Sequence, residues 1–278
     1  MSPLDRSLAI GPLVLPLGLL LLMLACAVAL GVATRLGRRR QVAAADRLFN
    51  GLLLAVVAAR VAFVFRYRDS YASFLGWLDI RDGGFEPLAG LAAGLGYWAW
   101  RSWRHPVERR PLAIALLAGL MTWSLTAGPL ALIAERGPML PDTPLAGLDG
   151  SRVTLPDRLE STEGPLVVNL WASWCPPCRR EMPLLARAQQ LHDDVTFVFL
   201  NQGESRATIN DFLQRESLTL DHLYRDPHRA FGKAVGAVGI PTTLYYDAGG
   251  RLVDTHFGEL SRATLSRSLE RLRRAASP

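Results

Sequence analysis

Apolar runs at the start of this chain constrain its fold more than any other feature. Leu8 to Thr34 is 27 residues without a charge, and about 20 suffice to cross a bilayer as a helix. A cleaved leader carries its positive charges before the apolar run. Here Arg35, Arg38, Arg39 and Arg40 follow it, which predicts a retained helix with its N-terminus outside. Leu48 to Phe65, interrupted by Arg60, reads as a second span, Pro87 to Trp100 as a short third, and Pro111 to Ala134 as a fourth.

The loops set the orientation. Arginines 35, 38, 39, 40 and 47 follow the first span, and 101, 104, 109 and 110 follow the third. The loop after the second span mixes Arg66, Arg68 and Arg81 with four acids. Arg-rich short loops stay in the cytoplasm. Four spans therefore leave both termini, and everything after residue 134, outside. Arg60 has two readings, a functional intramembrane charge or an arginine snorkelling to the interface; the second is the simpler. Cys26, among leucines and alanines, behaves as a small apolar residue.

Charge divides the chain at the same place. Residues 1–134 carry 14 arginines and 7 acids, whereas residues 135–278 carry 17 basic and 18 acidic residues. The overall +6 thus belongs to loops flanking membrane helices. No basic patch interleaved with aromatics supports nucleic-acid binding.

The second part reads as an ordinary α/β domain. Asp149-Gly150 between alternating apolar residues predicts a two-residue hairpin. The stretches "PLVVNLWAS" and "VTFVFLN" are buried-strand runs, and "TTLYYD" with "RLVDTHF" forms a hairpin. Helices are expected over Arg179 to Leu191, in "SRATINDFLQRES", in "RDPHRAFGKAVGAVG", and from the N-cap Ser261 to about Arg274. The expected architecture is an α-helical membrane region of about four spans (residues 1–134), a linker (135–140) and an α/β three-layer domain (141–278).

Cys175 and Cys178 enclose Pro176-Pro177 in "WASWCPPC". Zinc needs three or four ligands, yet no second cysteine pair exists and His192, His222, His228 and His256 show no ligand spacing. A structural bridge gains by closing a long loop, and this one closes almost nothing. At a strand-to-helix junction, Cys175 meets the unpaired N–H groups that stabilise a thiolate. Cys178 follows one turn later, within reach of a mixed disulfide at Cys175. The pair reads as redox-active, with no cofactor and no metal.

Here the chain resembles the thioredoxin fold, and within it the membrane-tethered TlpA/ResA/DsbE-like thiol–disulfide oxidoreductases. "WASWCPPC", "GIPTT" and "LNQGES" carry the likeness, over roughly residues 141–278. The resemblance implies a cis proline at Pro241, with the Ile240 backbone pairing an extended substrate beside Trp174, Pro176 and Pro177. Asn169 stands where thioredoxin has a buried Asp, and cannot take a proton. The family's acid three residues after the second cysteine is Glu181, the implied proton acceptor for Cys178. The alternative is a solvated acid that complements the helix dipole. The resemblance implies a reductant of periplasmic protein disulfides, of the cytochrome c maturation or metal-centre assembly type, fed by a transmembrane thiol donor. An oxidase or isomerase of the same fold is the alternative.

"GLLLAVVAARVAFVFRYRDSY" and "GWLDIRDGGFEPLAGLAAG" resemble the second helix and next segment of prolipoprotein diacylglyceryl transferase, and "LAIGPLVLPLGLLLLMLACAV" is similar to its first helix. That family has an essential His after its Gly-Gly pair. Here Gly83-Gly84 is followed by Phe85, Glu86 and Pro87, so acyl transfer lacks its proton-handling group. A non-catalytic copper- or partner-binding module is disfavoured by the lack of a Met/His cluster near the motif.

Overall fold

The computed structural model describes residues 7–10, 13–71, 74–133, 137–162 and 164–276. It divides into two compact units, Leu15–Ile133 and a second made of Met1–Val14 with Ala134–Pro278. Residues 135–136 of the expected linker lie outside the described residues.

Strands β1 (Ser7–Ile10) and β2 (Leu13–Pro16) pair as a two-stranded sheet before the first long helix. Helix α1 is Leu17–Arg40, so the helical part of the first apolar run starts at Leu17 rather than Leu8. Pro16, directly before the helix, accounts for the late start, since a proline inside a helix removes a hydrogen bond and clashes with the turn before it. Next come α2 (Ala44–Arg66), α3 (Phe74–Leu78), α4 (Pro87–Arg104), α5 (Pro106–Thr126) and α6 (Gly128–Ile133). Among the described residues three helical segments are long and apolar enough to cross a membrane: Leu17–Arg39, Ala44–Arg66 and Pro106–Leu130. The expected third span forms as α4, 18 residues long, but falls short of that apolarity.

The four long helices pack as a bundle in which α1 touches α2 and α5, and α4 touches α2 and α5. Small residues allow the close approach. Gly51 lies flat against the Trp98 indole, and Gly90 against the Ala55 carbonyl, so neither position has room for a Cβ. Outward faces carry Leu22, Phe49, Val61, Phe65, Leu117 and Leu120. The Glu108 carboxylate receives a forked hydrogen bond from Arg101, with Arg101 Nη2 at 2.8 Å from Oε1, and lies 3.8 Å from Arg47. The start of α2, the end of α4 and the start of α5 therefore meet at one end of the bundle.

Arg60 is neither exposed to an interface nor free. It donates to the carbonyls of Trp77, Asp79 and Gly84 and to the Asp82 carboxylate at 2.9 Å, clamping the segment between α2 and α4. The snorkelling expectation is corrected: Asp82 and three carbonyls give the charge its partners inside the protein, so it has no need to reach water.

The second unit is a seven-stranded sheet in the order β4-β3-β7-β6-β5-β8-β9. The strands are β3 (Leu145–Gly147), β4 (Arg152–Val153), β5 (Leu166–Trp171), β6 (Thr196–Gln202), β7 (His222–Asp226), β8 (Thr242–Tyr246) and β9 (Leu252–Phe257). The helices are α7 (Leu155–Ser161), α8 (Pro176–Leu191), α9 (Arg206–Glu216), α10 (Ala230–Ala234) and α11 (Arg262–Ala276). β5, β6 and β7 run parallel, and β8 returns antiparallel beside β5. All six residues of β5 are buried, because each face of the strand meets its own apolar cluster.

Several elements differ from their sequence expectations. The first hairpin closes on the Gly147–Ser151 pair, leaving three loop residues with Gly150 at φ +92°; a three-residue loop of this kind needs a left-handed residue at its end. Helix α8 begins at Pro176, since proline suits a first helical position. Within "RDPHRAFGKAVGAVG" only Ala230–Ala234 is helical. Pro138 and Leu140 of the expected linker pair with Leu252 and Gly250.

Candidate functional site

The end of β5 delivers Ala172, Ser173 and Trp174 to the N-terminus of α8. There Cys175 is the N-cap, and its sulfur accepts the Cys178 N–H at 3.3 Å. Cys175 and Cys178 form a disulfide with Cα atoms 5.3 Å apart. Both sulfurs' residues are buried, Cys178 completely and Cys175 to 3% exposure, with Trp174 beside them 60% exposed. Pro176 is exposed and Pro177 half-buried. Only one face of the pair can thus be approached, along Trp174 and Pro176.

The Ile240–Pro241 bond is cis. Cys175 Sγ lies 3.8 Å from the Ile240 carbonyl oxygen, which puts the loop against the disulfide. All five residues expected to hold substrate therefore border the same disulfide or the carbonyl against it.

Glu181 is 1% exposed, which overturns the solvated-acid alternative. It sits one turn after Cys178 on the buried face of α8, spaced so that both side chains share that face. Asn169 Nδ2 and the Leu260 N–H each donate to its carboxylate at 2.8 Å. Burial pushes its carboxyl up to about 7, against the pull of those two donors, and the nearby Glu259 charge adds to the rise. A carboxyl near 7 can hold or release a proton at neutral pH. Asn169 also donates to Thr243 Oγ1 at 3.0 Å, while its own Oδ1 is buried without a partner.

Glu204 is a site residue that sequence reasoning missed, although it lies within the quoted "LNQGES" stretch. It accepts the Ser173 N–H at 2.7 Å, the Ser173 hydroxyl at 2.5 Å and Asn201 Nδ2 at 2.6 Å. It pins the backbone two residues before Cys175. Asp226, at the end of β7, is missed for the same reason. Its carboxylate caps α10 through the N–H groups of Ala230, Phe231 and Gly232. Acids about thirty and about fifty residues after the cysteines give no signal in local spacing.

Such a pair can cycle between dithiol and disulfide, with a carboxyl near neutrality one turn away that can hold or release a proton. Residues 135–270 match the Redoxin family. A thiol:disulfide interchange protein DsbE homolog of Paracoccus denitrificans is 34% identical over 163 residues, spanning 56% of this chain and 87% of the relative. The thiol:disulfide interchange protein HelX of Rhodobacter capsulatus is 29% identical, over 52% of this chain and 80% of its own length. The thiol-disulfide oxidoreductase ResA of Geobacillus thermodenitrificans is 28% identical, over 49% and 78%.

Proposed function

This chain belongs to the DsbE-like thiol–disulfide oxidoreductases, and on that premise we propose that it is a membrane-anchored, outward-facing dithiol reductant of protein disulfides. The observation that carries this reading is Glu181, a buried carboxyl near 7 one turn from the buried Cys178. The reduced Cys175 thiolate attacks one sulfur of a substrate disulfide and expels the other as a thiolate. Glu181 takes the proton of Cys178, whose thiolate then attacks Cys175 Sγ and releases the second substrate thiolate. Two electrons leave the pair, which ends as the Cys175–Cys178 disulfide. Trp174, Pro176, Pro177, Ile240 and Pro241 border the entering chain.

The anchor is the helical bundle, residues 1–134, with the linker of residues 135–140 leading to the redox domain of residues 141–278. Both arginine-rich connections supply residues at one end of the bundle: Arg47 lies by Glu108, and Arg101 binds it. This arrangement supports four passes with that end cytoplasmic and α5 emerging on the far side. The location proposed is the bacterial cytoplasmic membrane, with the redox domain in the periplasm. Refilling needs a transmembrane thiol donor, since Cys26 is the only other cysteine. Substrates of the cytochrome c maturation or metal-centre assembly type suit a reductant of cysteines that must later take a ligand.

Alkylation trapping in cells tests the direction. The pair stands mainly reduced while its donor is present and becomes oxidised when the donor is removed. A pair fully oxidised in unstressed cells leaves an oxidase or isomerase instead.

A further inference from the structure

Beside the disulfide lies a groove of about 310 Å³, bordered by Trp174 and Ile240 and reaching α10. Val238 and Ile240 give part of its lining an apolar character, whereas Arg229 and Lys233 bring two positive charges to it. Both cations are exposed, and neither has a carboxylate in salt-bridge range among the described residues. The charge is local, because residues 135–278 carry one more acid than base. Its mounting is rigid: the buried Asp226 caps α10 and so fixes the turn that bears Arg229. Arg229 itself sits at φ +54°, a left-handed conformation that costs any residue with a Cβ.

We infer that this groove receives the segment of a substrate protein next to its reactive cysteine, and selects segments that carry an Asp or Glu beside an apolar residue. The contact between Cys175 Sγ and the Ile240 carbonyl joins groove and disulfide in one surface. An extended segment lying along Ile240 therefore passes the cation pair within a few residues of its cysteine. The inference rests on the reading of the site as a protein-disulfide exchanger. It adds the sign of charge that the partner must carry.

The test uses the pre-reduced full chain in detergent, in single turnover with synthetic peptides cyclised through one disulfide and flanked by Glu, Gln or Lys. Each turnover passes two electrons and two protons from the Cys175/Cys178 dithiol to the peptide, and chromatography reads the reduced product. At low salt the Glu peptide reacts about fivefold faster than the Lys peptide, the size expected for two solvent-exposed ion pairs. The preference collapses at 1 M salt, where the screening length falls to about 3 Å. The double variant Arg229→Glu, Lys233→Glu reverses the order, Lys above Glu. Equal rates for the three wild-type peptides, or an order that the double variant leaves unchanged, overturn the groove inference while exchange stands. Failure to reduce any of the three peptides overturns the exchange reading itself.

Discussion

Glu181 costs the fold stability in order to be useful. Its folded carboxyl is raised from the ordinary value of 4.5 to about 7, so between those values the native state binds more protons than the unfolded chain. Stability must then fall as pH rises from about 4.5 to about 7, by roughly 3 kcal/mol in all. Denaturant melts of the oxidised protein, in which the cysteines do not titrate, should show this decline, and Glu181→Gln should flatten it. Gln should be tolerated: turning the Asn169 amide would present its orphan Oδ1 to the new NH2 group and to the Thr243 hydroxyl, which can donate in place of accepting, while the Gln oxygen keeps the Leu260 N–H. The same turn gives a protonated Glu181 its acceptor. In exchange assays the wild-type rate should climb through about pH 7, and Glu181→Gln should lose that limb and run slower at neutrality. An unchanged pH profile would remove the carboxyl from the mechanism. Cys178→Ser should accumulate mixed disulfides through Cys175, detectable on non-reducing gels; trapping that instead requires Cys178 would reverse the two roles.

At the scale of elements, strong local signals were legible and weak ones were not. β5, β6, the β8–β9 hairpin, α9 and α11 each carry a continuous apolar run or a capped helical repeat, and each forms close to its expected place. Ser261 does cap α11, accepting the Thr264 N–H at 3.1 Å. β7 has no strand signal of its own, because "HLYRD" neither alternates nor stays apolar; its place between β3 and β6 comes from pairing. α7 is only seven residues, a length at which helical periodicity has no room to show, though Thr154 caps it. Of the site, the cysteines, the proline loop and Glu181 could be read from motifs. Glu204, Asp226 and the cation pair could not, since the fold alone brings them together. Asp226→Ala tests one such tie. It strands three N–H groups at the start of α10, and the loss should be about 2–4 kcal/mol of stability, read from the fall in denaturant midpoint at unchanged slope. A cost below about 0.5 kcal/mol would mean that α10 holds its place without the cap.

For the whole molecule, the sharpest expectation concerns sidedness. A membrane-impermeant thiol reagent should label reduced Cys175 once the outer barrier is opened, without lysis of the cytoplasmic membrane. Labelling only after lysis would overturn the four-pass arrangement and leave the three apolar helices as the spans. The sheet of the redox unit has a consequence of its own. At one margin β4 is two residues long; at the other, β9 carries a register shift opposite Tyr245 and Tyr246, and Met139 bridges to Arg251. Neither margin offers a long, flat row of free backbone groups, the feature on which foreign strands nucleate. A protein that exchanges disulfides with other proteins meets chains whose own bridges are unsettled, and such chains expose free backbone groups. Blunt margins keep those chains from being recruited into shared sheets, so that contact with a client ends in release instead of aggregation.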